Sequence, residues 1–260
     1  MTIEAPMLLI ETPADGVRLI RLNRPEKRNA LATALLAEVA DALDAAAGDD
    51  SVRCAIVTGS DRIFAAGADI NEIRAKDAAG ALADVRPAIW NRIRKFPKPL
   101  LAAVEGWSLG AGNELVMCCD IVVAGRSAKF GQPETNLGII PGAGGTVTLP
   151  RLVGRARAMK MVLLGEPLGA DEARTAGLVS DIVEDGGALA AAIEMAGRIA
   201  GRAPLAMQQG KASVRAAFET TESAHLVLER NAFSALFGSA DKSEGIAAFF
   251  EKRDPVWSGR

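Results

Sequence analysis

The chain of 260 residues is long enough for one large domain, and 49% of its residues are hydrophobic, which is ample for an extensive core. Lys plus Arg number 30 and Asp plus Glu number 32, a formal net charge of -2 without a basic stripe, which argues against nucleic acid as the main partner. Three cysteines without framework spacing and no signal-type N-terminus predict a reduced cytoplasmic protein, and no apolar run approaches the roughly 20 residues of a membrane helix.

Two candidate strands and a helix open the chain. Residues 7–10 and 17–22 have the composition of strands, and the turn-rich stretch TPADG joins them. Asn29 is a candidate N-cap, because apolar residues follow it at helical spacing, at positions 31, 35, 39 and 43. Gly48 is expected to end this helix.

Three short apolar runs ending in glycine then follow. They are CAIVTG (54–59), LAAVEG (101–106) and DIVVAG (120–125). Such runs are typical of buried strands that finish in a tight turn. The sequence therefore predicts an α/β fold with a layered core of strands and helices.

From about residue 187 the pattern is helical alone. The predicted helices cover 187–201, 204–217, 221–237 and 242–252. We expect a core region, 1–186, followed by a helical region, 187–260, that either caps the core or mediates oligomerisation. The single histidine, His225, lies in this helical region, so a Ser-His-Asp triad is not expected. No metal-ligand spacing occurs, and no metal is predicted.

Three segments are rich in small residues. They are 64–70 (FAAGADI), 108–119 (SLGAGNELVMCC) and 130–146, which ends in GIIPGAGGT. Taken singly, such a glycine cluster is more often a structural turn than a site. The third segment is not a phosphate loop of the common type, because no Gly-Lys-Ser/Thr follows its glycines.

The combination of these segments indicates chemistry. Small-residue turns that precede helices can offer backbone N–H groups to a developing negative charge, and two such donors make an oxyanion hole. Glu114 and Glu134 each lie beside one of these turns, and two carboxylates in an apolar pocket can divide the roles of acid and base. The alternative for Glu114 is a solvated side chain on the first turn of a helix.

The chain resembles the enoyl-CoA hydratase (crotonase) family over essentially its whole length. The motifs that carry the resemblance are NRPEKRNAL (23–31), FAAGADINEI (64–73), GWSLGAGNELVMCCD (106–120), FGQPETNLGIIPGAGGT (130–146) and GIAAFFEKR (245–253). The resemblance implies a spiral of repeated strand–strand–helix turns with a helical C-terminal trimerisation region. It also implies self-association as a trimer or a dimer of trimers.

The resemblance implies specific catalytic roles. The amides of Ala68 and Ala111 would hold the thioester oxygen, although many members have glycine at the position of Ala111. Glu114 would activate the water, and Glu134 would deliver a proton to the α-carbon. The amide of Gly142 would help to orient the water. Coenzyme A would enter as part of the substrate, with no other cofactor.

Further residues are implied in binding CoA. Ala66, Asp69, Ile70 and Asn71 match positions that contact acyl-CoA, but Asn71 stands where some members have lysine. Phe249 and Lys252 match tail residues that reach the CoA of a neighbouring subunit. An ordinary exposed helix lysine is the alternative for Lys252.

Alternatives to hydration come from the same family. Members that only shift a double bond commonly use another carboxylate arrangement, so the pair of glutamates favours hydration over isomerisation, and other chemistries of the superfamily rank lower. A non-catalytic RNA-binding relative is disfavoured by the near-neutral charge.

The family resemblance extends to a branch with a particular substrate. The stretch from NEIRAKD through RPAIWNRIRKFPKP to GWSLGAG resembles the phenylacetate-degradation branch, whose hydratase is associated with 2,3-dehydroadipyl-CoA. Two metabolic settings are therefore implied, phenylacetate catabolism and the β-oxidation of fatty acids. Arg86, Trp90 and Arg92 could face such a substrate or simply belong to a surface helix.

Overall fold

The structure, a computed structural model, describes residues 5–260. Within this range the strands are β1 (Leu8–Ala14), β2 (Val17–Leu22), β3 (Cys54–Thr58), β4 (Ile63–Ala65), β5 (Leu100–Val104), β6 (Trp107–Leu109), β7 (Ile121–Gly125), β8 (Lys129–Gly131), β9 (Leu168–Gly169) and β10 (Asp181–Val183). The α-helices are α1 (Thr33–Gly48), α2 (Ile70–Arg74), α3 (Ala78–Leu82), α4 (Arg86–Arg94), α5 (Ala111–Val116), α6 (Thr148–Val153), α7 (Arg155–Leu164), α8 (Ala170–Ala176), α9 (Ala188–Ala200), α10 (Pro204–Ala216), α11 (Glu222–Leu236) and α12 (Ala240–Glu251).

The larger sheet contains the three apolar runs as neighbouring strands. Its order is β1-β2-β3-β5-β7-β10, and every pair except the antiparallel β1–β2 hairpin is parallel. Alternate residues of β3 enter different hydrophobic clusters: Ala55 and Val57 face one, Cys54 and Ile56 the other. Burial on both faces explains why these strands are uninterrupted apolar runs.

The smaller sheet, of order β4-β6-β8-β9, gives the chain its spiral path. Strands β3, β5 and β7 of the large sheet are each followed by a short strand of the small sheet and then by one or more helices. The successive turns are β3–β4–α2, β5–β6–α5 and β7–β8–α6. The predicted repetition of strand, strand and helix is thus present, and each short strand carries one small-residue segment toward the same edge.

Two layers of helices cover the large sheet. Helix α1 buries Leu35, Leu36, Val39 and Leu43 in the cluster that also contains the apolar residues of α4. Helix α9 lies on the opposite face, where Ala188, Ala192 and Ala196 pack on the strands. Their small side chains allow close approach of helix and sheet. The division of the chain at residue 187 stays a prediction.

The predicted N-cap of α1 is wrong. Helix α1 begins at Thr33 with Ala32 at the N-cap position, although it ends at Gly48 as expected. Asn29 instead has a positive φ of 53° and is buried. Its side-chain oxygen accepts from the N–H of Arg24, and its amide nitrogen donates to the carbonyl of Phe64 at 3.1 Å. The amide is therefore used to fasten the loop to β4 and is not available to a helix.

The C-terminal helices α9 to α12 match the four predicted ones within two residues. The last two leave large apolar side chains exposed, namely Leu226, Val227, Phe233 and Phe237 on or next to α11 and Ile246, Phe249 and Phe250 on α12. Among residues 5–260, no helix combines the length and the hydropathy needed to cross a bilayer.

Candidate active site

A cavity of about 300 Å³ opens where the small-residue segments meet. It lies at the carboxyl ends of β4, β6 and β8, and helix α4 forms another of its walls. The predicted site residues that line it are Ala66, Ala68, Ile70, Ala111, Glu114, Glu134 and Gly142. The fold therefore brings together residues that lie up to 76 positions apart in the chain (142 − 66).

The two glycine turns approach each other closely beside Glu134. Gly110 has a φ of 50°, in the region that favours glycine. A Cβ placed there would lie 3.0 Å from Oε1 of Glu134 and 3.7 Å from the Cα of Gly67. The absence of a side chain at Gly110 thus leaves room for the Glu134 carboxylate. It also allows the backbone at Gly110 to approach the backbone at Gly67.

Both predicted oxyanion amides are free of protein acceptors. Ala111 is the first residue of α5, where an N–H has no partner within the helix. Ala68 lies in the turn between β4 and α2. The residues on either side of it form backbone hydrogen bonds with Leu31, since Leu31 N–H donates to Gly67 O and Asp69 N–H donates to Leu31 O. Within residues 5–260, neither the N–H of Ala68 nor that of Ala111 donates to the protein, so both can donate to a bound group.

Glu114 is buried and held in place by a loop. Its side chain is one turn into α5 and the residue is only 3% exposed. Its Oε1 accepts from the N–H of Ala143 at 2.7 Å and from that of Gly145 at 2.8 Å. Burial raises the pKa of Glu114, and the rise is opposed by these two N–H groups and by the charges of nearby arginines. Oε2 forms no hydrogen bond within residues 5–260 and remains able to accept one.

Glu134 has a different environment. It begins a 3₁₀ helix, Glu134–Leu137, that contains no fully buried residue. Burial nevertheless raises the pKa of Glu134 to about 7, its own N–H opposes the rise, and the charge of Glu114 adds to it. At neutral pH this carboxyl group is therefore protonated in a large fraction of molecules.

A buried amide contacts the Glu134 carboxyl group. With its nitrogen turned toward Glu134, the amide of Gln132 is 2.9 Å from Oε1 and 3.1 Å from Oε2. An amide can donate from nitrogen to the ionised carboxylate or accept through oxygen from the protonated form. Gln132 can thus orient Glu134 in either protonation state.

Four predicted binding residues lie outside the lining of the cavity. Asp69 caps α2 by accepting from the N–H of Asn71, and its carboxylate pairs with Arg24 at 3.2 Å. Phe249 is 78% exposed on α12, and Lys252 ends that helix in a left-handed conformation. Asn71 is in the first turn of α2. Their contacts with CoA stay predictions.

The groups that hold the two carboxylates were not predicted from the sequence. The N–H groups of Ala143 and Gly145 bind Glu114. The role of the Gly142 amide in orienting the water stays a prediction. Arg94 supports this loop by donating to the carbonyl of Ala143. The contact of Gln132 with Glu134 was predictable, because residues two apart at the end of a strand share a face. The contacts of Glu114 with residues 29 or more positions away leave no local pattern in the sequence.

Comparison with known proteins gives the family. The profile of the enoyl-CoA hydratase/isomerase family matches residues 12–260. The chain belongs to this family. It is 48% identical over 252 residues to the 2,3-dehydroadipyl-CoA hydratase of Escherichia coli K12, covering 97% of this chain and 99% of that protein. It is 43% identical to a probable mitochondrial enoyl-CoA hydratase of Dictyostelium discoideum, covering 94% of this chain and 88% of the relative.

The solved structures of the family confirm the predicted fold. The crystal structure of an enoyl-CoA hydratase from Bacillus anthracis superposes with a TM-score of 0.93 at 34% identity, covering 98% of this chain and 100% of the other. The expectation of an α/β crotonase fold is therefore correct.

Proposed function

We propose that this member of the enoyl-CoA hydratase/isomerase family adds water across the 2,3 double bond of a trans-2-enoyl-CoA through Glu114 and Glu134. Hydration itself follows from the family and from the hydratases among the relatives. The observation that supports the residue assignment is the convergence of two carboxyl groups and two free amides on one cavity. Glu114 is the base, and Glu134 is the acid.

The proposed reaction balances with these groups alone. Oε2 of Glu114 accepts a proton from water as the water oxygen bonds to the β-carbon. The π electrons move toward the thioester carbonyl, and the α-carbon takes the proton of Glu134. The product is a 3-hydroxyacyl-CoA, with Glu114 protonated and Glu134 ionised. A proton must then pass from Glu114 to Glu134, directly or through solvent, before the next turnover.

The amides of Ala68 and Ala111 stabilise the charge that develops on the thioester oxygen. They are preorganised, since one starts a helix and the other lies in a turn fixed by its neighbours' hydrogen bonds. Loss of one such donor typically costs about 3–4 kcal/mol of transition-state stabilisation. Because the donors are backbone groups, alanine in place of glycine at position 111 preserves the interaction.

The substrate that we propose is an enoyl-CoA whose acyl chain ends in a carboxylate, as in 2,3-dehydroadipyl-CoA. Two observations support it. The 48% identical relative from Escherichia coli is a 2,3-dehydroadipyl-CoA hydratase, and the match covers 99% of that protein. The cavity wall also includes a buried arginine, Arg86 of α4. A cavity for a simple alkyl chain would need only apolar groups in its wall.

The assembly and the remaining CoA contacts complete the proposal. Self-association as a trimer or a dimer of trimers would cover the exposed apolar side chains of α11 and α12. It would also allow Phe249 and Lys252 to reach the CoA of a neighbouring subunit, while Asp69 and Asn71 meet the CoA of their own. The cytoplasmic location belongs to the same proposal, since the free cysteines would stay reduced there.

A comparison of two substrates of equal length tests the proposal. Loss of the enoyl thioester absorbance would be followed with trans-2-hexenoyl-CoA and 2,3-dehydroadipyl-CoA, which differ at the terminal group. We expect kcat/KM to be at least about tenfold higher for the dicarboxylic substrate. Failure to hydrate either compound would contradict the hydratase assignment, whereas equal or faster turnover of hexenoyl-CoA would contradict the substrate class.

A further inference from the structure

The three arginines of α4 have different environments. Arg92 is on the surface, where its guanidinium pairs with Asp41 and Asp44 of α1 at 2.5 and 2.6 Å. Arg94 donates to the carbonyl of Ala143 and lies over the ring of Trp90. Arg86 is only 9% exposed and lines the cavity. The sequence does not distinguish these three positions. In the structure Arg86 lines the cavity, whereas Arg92 and Arg94 lie outside its lining.

The guanidinium of Arg86 is held close to the turn that contains Ala68, one of the two proposed oxyanion donors. Its Nη2 donates to the carbonyl of Leu31 at 3.2 Å. Leu31 in turn donates through its N–H to the carbonyl of Gly67 at 2.7 Å, next to Ala68. The positive charge also acts on Glu114, whose pKa it lowers. Arg86 is therefore within electrostatic reach of the groups proposed to act on the acyl chain.

Arg86 has unused hydrogen-bonding capacity. A guanidinium has five N–H donors, and only the bond to Leu31 is made within residues 5–260. The nearest acid in the chain, Asp84, also lines the cavity, but it pairs with Lys76 at 2.6 Å and accepts the backbone N–H of Arg86 rather than its side chain. The carboxylates of Asp84 and Glu114 interact with the charge of Arg86 but accept no hydrogen bond from its guanidinium within residues 5–260. A carboxylate brought by the substrate would supply the acceptors that these buried N–H groups lack.

We propose that Arg86 is a specificity-determining residue whose guanidinium binds the terminal carboxylate of a dicarboxylic enoyl-CoA. The inference rests on the proposed function, because it assumes that an acyl-CoA occupies this cavity. The planar fork of a guanidinium matches a carboxylate with two parallel hydrogen bonds, which an ammonium cannot reproduce. Trp90, buried on the next turn of α4, lines the wall beside it and excludes water from the pair.

Binding of unreactive ligands tests Arg86 without any catalysis. Adipyl-CoA and hexanoyl-CoA have six acyl carbons and identical CoA groups, and they differ only in the terminal carboxylate. The dissociation constants of both would be measured by calorimetry for the wild type, Arg86→Met, Arg86→Lys and Arg92→Gln. The last variant is the matched control, since it removes an arginine of the same helix that lies outside the cavity.

The preference is the ratio of the two dissociation constants, hexanoyl-CoA over adipyl-CoA. We expect a preference of at least about 30 in the wild type and in Arg92→Gln, falling to about 1 in Arg86→Met. Arg86→Lys keeps the charge but loses the fork, so its preference should fall about tenfold. This variant carries the test should Arg86→Met not fold.

Two results would overturn the proposal. Equal weakening of both ligands in the Arg86 variants would mean that the residue binds a phosphate of CoA or supports the scaffold. An unchanged preference would mean that the carboxylate binds elsewhere. The outcome is separable from the hydratase assignment: a protein that binds adipyl-CoA through Arg86 but hydrates no enoyl-CoA would retain this inference and lose the proposed function.

Discussion

Glu114 and Glu134 face one cavity from two contrasting regions of the molecule. Every residue of α5, which carries Glu114, is buried, and the carboxylate accepts two backbone N–H groups from a loop about 30 residues away. Glu134 starts a short 3₁₀ helix without a buried residue, and its described side-chain neighbour is the amide of Gln132. The Glu114 side chain is thus held by two backbone N–H groups, whereas the Glu134 side chain is contacted by one side-chain amide.

The contrast teaches how one residue type can serve as both acid and base. Burial raises the pKa of both carboxyl groups, but at Glu114 two N–H donors and two arginines act against that rise. At Glu134 its own N–H opposes the rise, the charge of Glu114 adds to it, and the pKa reaches about 7. This difference between the two environments supports the proposal that Glu114 is the base and Glu134 the acid.

Removal of either carboxylate should have the largest effect. We expect Glu114→Gln and Glu134→Gln each to lower kcat by about 10²–10⁴, since each removes one partner of the proton transfer. The rate would be measured from the loss of enoyl thioester absorbance. The dissociation constant of a saturated acyl-CoA should change little, because the oxyanion amides remain.

The chain provides a matched control for this experiment. Glu105 is also buried, and its Oε1 accepts from the N–H groups of Gly186 and Ala188 at 2.9 and 3.0 Å, but it lies outside the cavity. Glu105→Gln should lower stability without a selective loss of kcat. An equal loss of kcat in Glu105→Gln and Glu114→Gln would show that Glu114 acts through folding alone.

The second expected effect is on stability. Because the pKa of Glu134 is about 7 in the folded protein and near 4.5 when unfolded, folding favours its protonated form, and this contribution is lost as pH rises from 4.5 through 7. Glu134→Gln should therefore be more stable than the wild type at pH 8, by about 1–3 kcal/mol, and equally stable below pH 4.5. Urea unfolding at both pH values measures this. A pH-independent difference would contradict the raised pKa.

The pH dependence of the rate should separate the two groups further. If Glu134 must be protonated, kcat/KM should fall above pH 7, approaching tenfold per pH unit. The measurement is a profile of kcat/KM against pH between pH 5 and 9, with a control for effects of the buffer. A rate that keeps rising to pH 9 would exclude Glu134 as the acid in the rate-limiting step.

A smaller shift should follow from changing Arg94. Its guanidinium lowers the pKa of Glu114 and holds the loop that donates to it. Arg94→Met should therefore raise the pKa of Glu114 and move the acidic limb of the kcat/KM profile up by about one pH unit or less. Arg92→Gln, whose side chain pairs with Asp41 and Asp44 on the surface, should leave the limb in place. Equal shifts in both variants would point to a general charge effect.

Local sequence was sufficient for part of this site. Ala111 and Glu114 share one helix start, so their relation to a glycine turn is visible in the sequence, as are the strands that end in glycine. The structure and the family comparison confirm the α/β fold predicted from these patterns. The roles of the individual residues stay proposals.

Other features depend on contacts between distant positions. The N-cap predicted at Asn29 was wrong because the amide bonds to Phe64, 35 positions later. The buried Arg86 donates to the carbonyl of Leu31, 55 positions away, and a helical pattern alone does not distinguish it from Arg92 on the surface. Tertiary contacts decide which cation of an amphipathic helix reaches a cavity.

The most direct measurement of the division of roles is hydrogen exchange at the α-carbon of adipyl-CoA in D₂O, followed by NMR. A saturated acyl-CoA has no double bond to hydrate, so only the proton transfer proposed for Glu134 can occur, with the charge held by the amides of Ala68 and Ala111. The account predicts exchange in the wild type, substantial exchange in Glu114→Gln, and none above background in Glu134→Gln. Exchange that persists in Glu134→Gln but is lost in Glu114→Gln would contradict it.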